Sequence, residues 1–499
     1  MNNTWPKWIN TQGHIGSQYP YYFLKNNNML FNLEFDEIFK ELDIDKPKLD
    51  VQSVAEILMR SFIIGDKTLV KGIRRSPWMA EYNFKSTSWD HYEIPPHNNL
   101  IMDEVEAAKK FKSLIYEETL NYIGTSKKVG ILLSGGLDSR ILAGVLREIE
   151  LNNDFNGKII VYNWGLSDSR DVWYAKKIAD LFQWDYKHFP IDAETLKRNF
   201  YLVQKVGAET NPFNLHAMED VSLDQDSEII LAGSYGDNLG RAIYNGRNIK
   251  NASPIVYSNA NKLGLLKESV INDFYSKMEE ESVSYRNTYD KHSREEYQYR
   301  ETEYHRHQSR RYLTTAMSII AMKKPLYQML TSPKVTSFIW SLDLSIRTDV
   351  LYENILPMLP EKINEIPWAN TGKVFGEKSE DDSKVDDGRK SYHKYGYWLR
   401  NDLRSFIDQE LDINLLSNLG IFNDKALKKL YKEWTLSTGD GPNKLDTMIS
   451  WLTAISMFIK KYDIENDFVY KKSTKDTLNS LLIGPKIKAY NFARNIIKK

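Results

Sequence analysis

The chain contains no cysteine. Its chemistry therefore excludes disulfides, thiolate metal sites and a cysteine nucleophile. Neither charge is in excess: Lys plus Arg and Asp plus Glu number 67 each, so charge alone points to no nucleic-acid partner. No apolar run reaches the length of a membrane span, and the opening Met1-Asn2-Asn3-Thr4-Trp5-Pro6-Lys7-Trp8 lacks a signal-peptide core. Low-complexity stretches and internal repeats are missing as well. These absences give the expectation of a cytoplasmic protein with no membrane span. The remaining composition is that of a globular protein: 499 residues, 41% hydrophobic and 12% aromatic, enough for two or three domains and a large core.

The informative part of the sequence is one heptapeptide, Ser134-Gly135-Gly136-Leu137-Asp138-Ser139-Arg140. Ahead of it, Val129-Gly130-Ile131-Leu132-Leu133 reads as a buried parallel strand. Behind it, residues 141–149 have helical periodicity, so the motif lies on a strand-to-helix turn. Two adjacent glycines, Gly135 and Gly136, let the backbone turn sharply and aim several N–H groups at one anion. The helix adds the positive end of its dipole. Ser134 and Ser139 supply hydroxyl donors, and Asp138 can hold a Mg²⁺ that bridges phosphate oxygens. Leu133 and Leu137 flank the turn and complete the candidate ATP loop. The Gly-Lys-Ser/Thr end of a Walker A loop is missing. The motif resembles instead the SGGxDS pyrophosphate loop of ATP pyrophosphatases, which implies cleavage of ATP between its α and β phosphates and transfer of AMP to a substrate.

Around the motif, the pattern predicts further strands at 158–164 and 228–232, with helices at 54–62, from Asp103 towards Tyr122, and at 171–179. This alternation predicts an α/β protein with a doubly wound parallel sheet that binds ligands at the carboxyl ends of its strands. Residues beyond 255 read as mostly helical and are expected to cover the site. The charged run 376–390 reads as a mobile loop. Residues 20–95 are mixed and strand-rich.

A second glycine-rich turn, Ala232-Gly233-Ser234-Tyr235-Gly236-Asp237-Asn238, follows the third strand. One Asp leaves a magnesium–pyrophosphate complex under-coordinated, and Asp237 supplies a second carboxylate. With this segment, residues 100–465 resemble the synthetase domain of the asparagine synthetase superfamily. The resemblance implies an ATP-pyrophosphatase (adenine nucleotide alpha hydrolase-like) fold with a helical C-terminal part. It also implies ATP and Mg²⁺ as ligands, and an AMP-forming ligase that joins a carboxylate to ammonia or an amine. Asp138 and Asp237 match the family's metal-binding aspartates. Trp164 and Gly165 end the second strand where related enzymes place adenine, and Gly233 and Gly236 fall in the nucleotide-facing turn.

Two departures stand out. Ser234 occupies the position of the family's catalytic-site glutamate, and Asn238 that of its closing glutamate. β-Lactam synthetases carry tyrosine at that glutamate position, whereas Tyr235 stands one residue later here. Peptide cyclases such as the lasso-peptide cyclases, and a catalytically inert nucleotide-binding relative, are the alternatives. Residues 359–373 resemble the stretch that carries the family's catalytic lysine, which makes Lys373 the candidate and Lys378 a weaker one; such a lysine neutralises charge as an amine attacks the acyl-adenylate.

Residues 29–84, with Gly65-Asp66-Lys67-Thr68-Leu69 and Gly72-Ile73, resemble only the later part of the family's glutaminase domain. The cysteine nucleophile of that domain is missing. The division expected is 1–98 as a non-catalytic glutaminase-like remnant, a small mixed α+β domain, and 99–499 as the synthetase-like domain. Nitrogen then comes from ammonia, a partner glutaminase or an amine on the acceptor. Asp171 reads as a helix N-cap or a metal ligand, and His188, His305 and His307 as packing rather than ligating residues. The basic tail after Asn466 reads as an amphipathic helix packed on its own domain, with a membrane surface or an acidic partner as the alternative.

Overall fold

The computed structural model describes residues 18–25, 28–42, 45–256, 261–377, 388–437 and 444–497. Strands β1 (Tyr21–Lys25) and β2 (Asn28–Asn32) form a hairpin, and β1 pairs on its other edge with β3 (Arg74–Arg75). A second hairpin joins β4 (Ala80–Asn83) to β5 (Ser88–His91). Asp50 caps the helix Val51–Arg60 by accepting the Ser53 N–H.

The centre of the molecule is a five-stranded parallel sheet. Its strands are β6 (Lys128–Leu132), β7 (Lys158–Trp164), β8 (Asp185–Phe189), β9 (Ile229–Ala232) and, after a short hairpin of β10 (Ile243–Tyr244) with β11 (Arg247–Asn248), β12 (Leu326–Gln328). The spatial order is β12-β9-β6-β7-β8. The chain steps outward from β6 to β7 and β8, then crosses to the other side of β6 for β9 and β12. The loops that leave β6 and β9 therefore diverge and open a crevice at the carboxyl ends of the strands, the topological switch point of a doubly wound sheet.

Side chains alternate across this sheet. Val129, Ile131, Ile159, Val161 and Leu231 pack on one face with the helices Glu104–Ile123, Leu137–Leu151 and Arg170–Phe182. Leu132, Ile160, Tyr162, Ile230 and Ala232 pack on the other with residues 202–221 and the helix Thr315–Ala321. Burial on both faces explains the near-continuous apolar character of β6, β7 and β9. β8 and β12 carry no such signal. Asp185-Tyr186-Lys187-His188-Phe189 is a half-exposed edge strand, and β12 has only three residues. Most of the charged run 376–390, including 378–387, lies outside the described residues; at its end Arg389 donates its N–H to the Asp168 carbonyl at 2.9 Å.

The N-terminal strands and helices do not keep a core to themselves. Tyr21, Phe35, Ile57 and Ile63 share one apolar cluster with Ile407, Leu430, Trp451 and Phe458 from the C-terminal helices. Phe35 meets Phe458 at a ring separation of 5.2 Å, and Leu49 donates its N–H to the Glu465 carbonyl at 2.8 Å. A second link is ionic. Glu209, fully buried, accepts Arg75 Nε at 2.9 Å and also pairs with Arg311, whose guanidinium reaches the Gly65 and Lys67 carbonyls at 2.7 and 2.6 Å. Removing the acid strands two buried arginines, so Glu209→Ala is expected to cost about 3–5 kcal/mol, read as a lowered urea midpoint; a change under about 1 kcal/mol would show the cluster to be energetically idle.

Candidate active site

The loop after β6 is held by its own side chains. Ser139 Oγ accepts the Ser134 N–H at 3.1 Å and lies 3.0 Å from Ser134 Oγ, which accepts the Gly136 N–H at 3.1 Å. Gly135 donates its N–H to Asp171 Oδ1 at 3.1 Å. The helix Leu137–Leu151 begins immediately after Gly136 and aims its N-terminus at the same space. Beneath the loop, the buried Arg140 donates to the carbonyls of Pro367 at 2.8 Å and Gly135 at 3.3 Å, as well as to Ile366. One guanidinium thus ties residues 366–369 to the pyrophosphate-type loop, and the Ala369 N–H closes the contact on the Gly135 carbonyl at 3.1 Å. Burial lowers the Arg140 pKa to about 10.

The loop after β9 presses against this one. A Cβ on Gly233 would stand 2.9 Å from Ser139 N and Cα, and one on Gly236 only 2.2 Å from Asp138 Cγ. Both positions must lack a side chain for the loops to meet. The contact is sealed by the Asp237 N–H on Asp138 Oδ2 at 3.1 Å, while Tyr352 donates its hydroxyl to Oδ1 at 2.6 Å. Burial in the cleft floor, and then the neighbouring Asp237 charge, push Asp138 up to about 7, with Tyr352 and Arg241 acting in the opposite sense.

Arg241, one helical turn after Asp237, directs Nε to Asp237 Oδ1 at 3.1 Å and Nη1 to Asp349 Oδ1 at 2.8 Å. Its guanidinium lies 5.4 Å from the Trp368 ring and 5.3 Å from that of Tyr352. The Asp237 side chain is half exposed.

These elements enclose a cleft of about 260 Å³. Leu133, Ser134, Gly136, Leu137, Asp138 and Ser139 line it from one side, and Gly233, Ser234 and Asp237 from the other, with Trp164 on the wall. Other candidates lie elsewhere. Gly135 and Gly236 are absorbed in loop packing. Tyr235 is corrected by the structure: with φ at 76° its side chain turns into the core, where its hydroxyl meets Thr314 Oγ1 at 2.8 Å and its ring stacks on His305. It therefore offers nothing to the cleft. Gly165 likewise faces the protein, donating to the Phe189 carbonyl at 3.3 Å and accepting His188 Nε2 at 2.9 Å. Lys373 is half-buried and does not line the cleft; its carbonyl accepts the Trp368 N–H at 2.8 Å and closes the turn that carries Trp368 there. Lys378 lies outside the described residues.

Asp171 is not the helix cap, because Ser169 Oγ takes that role on Val172 N. Burial raises the Asp171 carboxyl to about 6, against the opposing pull of the Gly135 N–H. His305 is buried against Tyr244, and His307 accepts the Gly65 N–H at 3.0 Å. Among the described residues, no group of three or more His, Cys, Asp or Glu is arranged to hold a metal. Sequence reading missed Arg241, Tyr352, Trp368 and Arg140. Arg241 lies just past the short helix Gly236–Leu239, so no helical periodicity pointed to it.

The class that the sheet defines is an α/β fold with a doubly wound parallel sheet and a cleft at its switch point. Residues 110–332, somewhat under half of the chain, match the family model described as asparagine synthase. A relative from Methanocaldococcus jannaschii, named as a putative glutamine-hydrolyzing asparagine synthetase, is 23% identical over 186 residues. That match covers 36% of this chain and 35% of the relative. Among solved structures, an NH3-dependent NAD synthetase from Campylobacter jejuni aligns at 18% identity over 38% of this chain and 85% of its own, with a TM-score of 0.21. A tRNA thiolase from Methanococcus maripaludis aligns at 13% identity over 55% and 82%, with a TM-score of 0.24.

Two expectations follow from the geometry. Gly236→Ala should cost about 1–3 kcal/mol of stability, because its methyl collides with the Asp138 carboxyl; an unchanged urea midpoint would refute the close packing. The raised Asp138 pKa means that, between about pH 4 and pH 7, the folded chain keeps a proton that the unfolded chain has released. Ligand-free stability should therefore lose this contribution as pH rises through that window, and Asp138→Asn should lose less over the same range. Parallel urea titrations of the two proteins across pH test it, and identical slopes would contradict the shift.

Proposed function

We propose that the chain is an ATP-dependent carboxylate–amine ligase. In this reading a substrate carboxylate attacks the α-phosphorus of ATP, pyrophosphate leaves, and an amine displaces AMP from the acyl-adenylate to give an amide. The observation that carries the reading is the meeting of the Ser134–Ser139 loop with Asp237 across the switch-point cleft, the two aspartates being joined by a backbone hydrogen bond. The match of residues 110–332 to the asparagine synthase family model supports it.

The donor set fits magnesium, which binds through one or two carboxylates together with substrate phosphates and keeps its remaining ligands as water. Asp237 directs Oδ1 to Arg241 while its side chain stays half exposed, and Asp138 lies beside it. When bound there, magnesium would neutralise charge on the phosphate oxygens. The chain's own part is to hold the polyphosphate on the serine hydroxyls and the helix N-terminus. Arg241 pairs with Asp237 and orients its carboxylate, and Trp368 walls off the cleft. Lys373 sits one turn beyond Trp368 and would neutralise charge on departing AMP only by swinging inward.

Ser234 lines the cleft where the family has glutamate, so no carboxylate at that position takes the proton of the attacking amine. That proton goes to the substrate's own groups or to solvent. Without cysteine, the chain has no nucleophile for the family's route from glutamine, and nitrogen enters as ammonia, from a partner glutaminase or as an amine on the acceptor. With Tyr235 in the core, the resemblance to β-lactam synthetases at that position gives a cyclase no support.

The test offers purified protein ATP, Mg²⁺ and a panel of carboxylates, aspartate with ammonium first, and follows pyrophosphate and AMP. Equal amounts of both are expected, with Asp138→Ala lowering the rate by about 100-fold or more. Release of ADP and phosphate, or no ATP binding by calorimetry, would overturn the ligase reading.

A further inference from the structure

Among the residues described, the helix Thr474–Ile497 buries one apolar face in the protein and exposes another. On the inner face Ile483 and Ile487 are buried in the core shared with the N-terminal segment. Gly484 brings this helix against Asp424–Thr435 so closely that a Cβ would meet Glu433 Oε1 at 3.1 Å, and Lys429 Nζ reaches the Leu481 carbonyl at 3.1 Å. On the outer face Leu478, Leu481 and Leu482 recur at the spacing of one helical stripe and are 55%, 64% and 39% exposed. The connection leading into the helix adds Phe468 and Val469, exposed by 60% and 67%. Isolated exposed leucines need no explanation, but this concentration within fifteen residues is a patch.

The sequence from the patch onward is basic. From Phe468 to Lys499 the sequence holds eight Lys or Arg and a single acid, Asp476, in a chain whose total charge is zero. That acid is buried at the helix start, where it accepts the Ser473 N–H at 2.7 Å. Lys471 and Lys472 stand exposed just ahead of the apolar stripe, while Lys475 is paired with Glu268.

We infer that this face docks the protein on an anionic phospholipid surface, with Leu478, Leu481, Leu482, Phe468 and Val469 entering the headgroup boundary and the lysines meeting the lipid charge. An apolar stripe flanked by lysines on a helix lying in the interface is the geometry such binding requires. A symmetric dimer through the same face would set Lys471 and Lys472 against their own copies, and like charges oppose that pairing. None of the patch residues lines the cleft. No helix among the described residues is long and apolar enough to cross a membrane, and the attachment inferred is peripheral.

The test floats the full chain with vesicles of phosphatidylcholine and phosphatidylglycerol in equal parts, and with pure phosphatidylcholine. Binding to the mixed vesicles only, reversed by high salt, is expected. Both Leu478→Glu with Leu481→Glu and Lys471→Glu with Lys472→Glu should lower the bound fraction about tenfold while leaving circular dichroism unchanged. Two results overturn the inference: wild type that stays unbound at low salt, or a concentration-dependent dimer that the leucine variant abolishes without any vesicle binding.

Discussion

The site depends on how closely two loops approach each other. The turns after β6 and β9 come together only because Gly233 and Gly236 leave room for the backbone of Ser139 and the carboxyl of Asp138. That approach puts Asp138 and Asp237 within one hydrogen bond of each other and raises the proton affinity of the first. Like charges so near one another need a compensating cation, which Arg241 supplies from the next helical turn. Tyr352 and Asp349 hold the far side of the pair, and Arg140 fastens the segment carrying Trp368 to the loop from below. No single group in this arrangement is unusual for a buried polar site; the proximity of the two loops is what makes the rest necessary.

Much of this was legible in the residues themselves. β6, β7 and β9 are buried on both faces and so read as unbroken apolar runs, and the strand–SGGLDS–helix order located the cleft. The edge strands were not legible, because Asp185–Phe189 is half solvated and Leu326–Gln328 too short to show a period. At the site, the loop residues were readable and their supports were not. Tyr352 reaches Asp138 from 214 residues away, a separation that no local pattern encodes. Tyr235 shows the converse limit. A glycine-rich turn says where the backbone bends but not to which side each side chain goes, and a left-handed φ at Tyr235 sends the ring into the core.

The N-terminal segment has a different relation to the rest. What the structure shows of it is how it is attached to the rest of the fold. Arg75, Glu209 and Arg311 bind it ionically to the synthetase-like part, and His307 accepts the N–H of Gly65. Buried charge clusters of this kind contribute specificity of fit more than net stability. They fix how the segment sits without requiring it to carry chemistry.

The core shared by Tyr21, Phe35, Ile57, Trp451 and Phe458 also sets an order of events in synthesis. The first strands leave the ribosome hundreds of residues before the helices that bury them, and contacts of such sequence separation form slowly. The parallel sheet can close on itself while translation continues, and the opening segment can meet Glu209 and Arg311 first, but its apolar core stays incomplete until Trp451 and Phe458 are made. A nascent chain that stalls late therefore presents an assembled cleft beside an unfinished surface, the condition in which chaperone capture decides its fate.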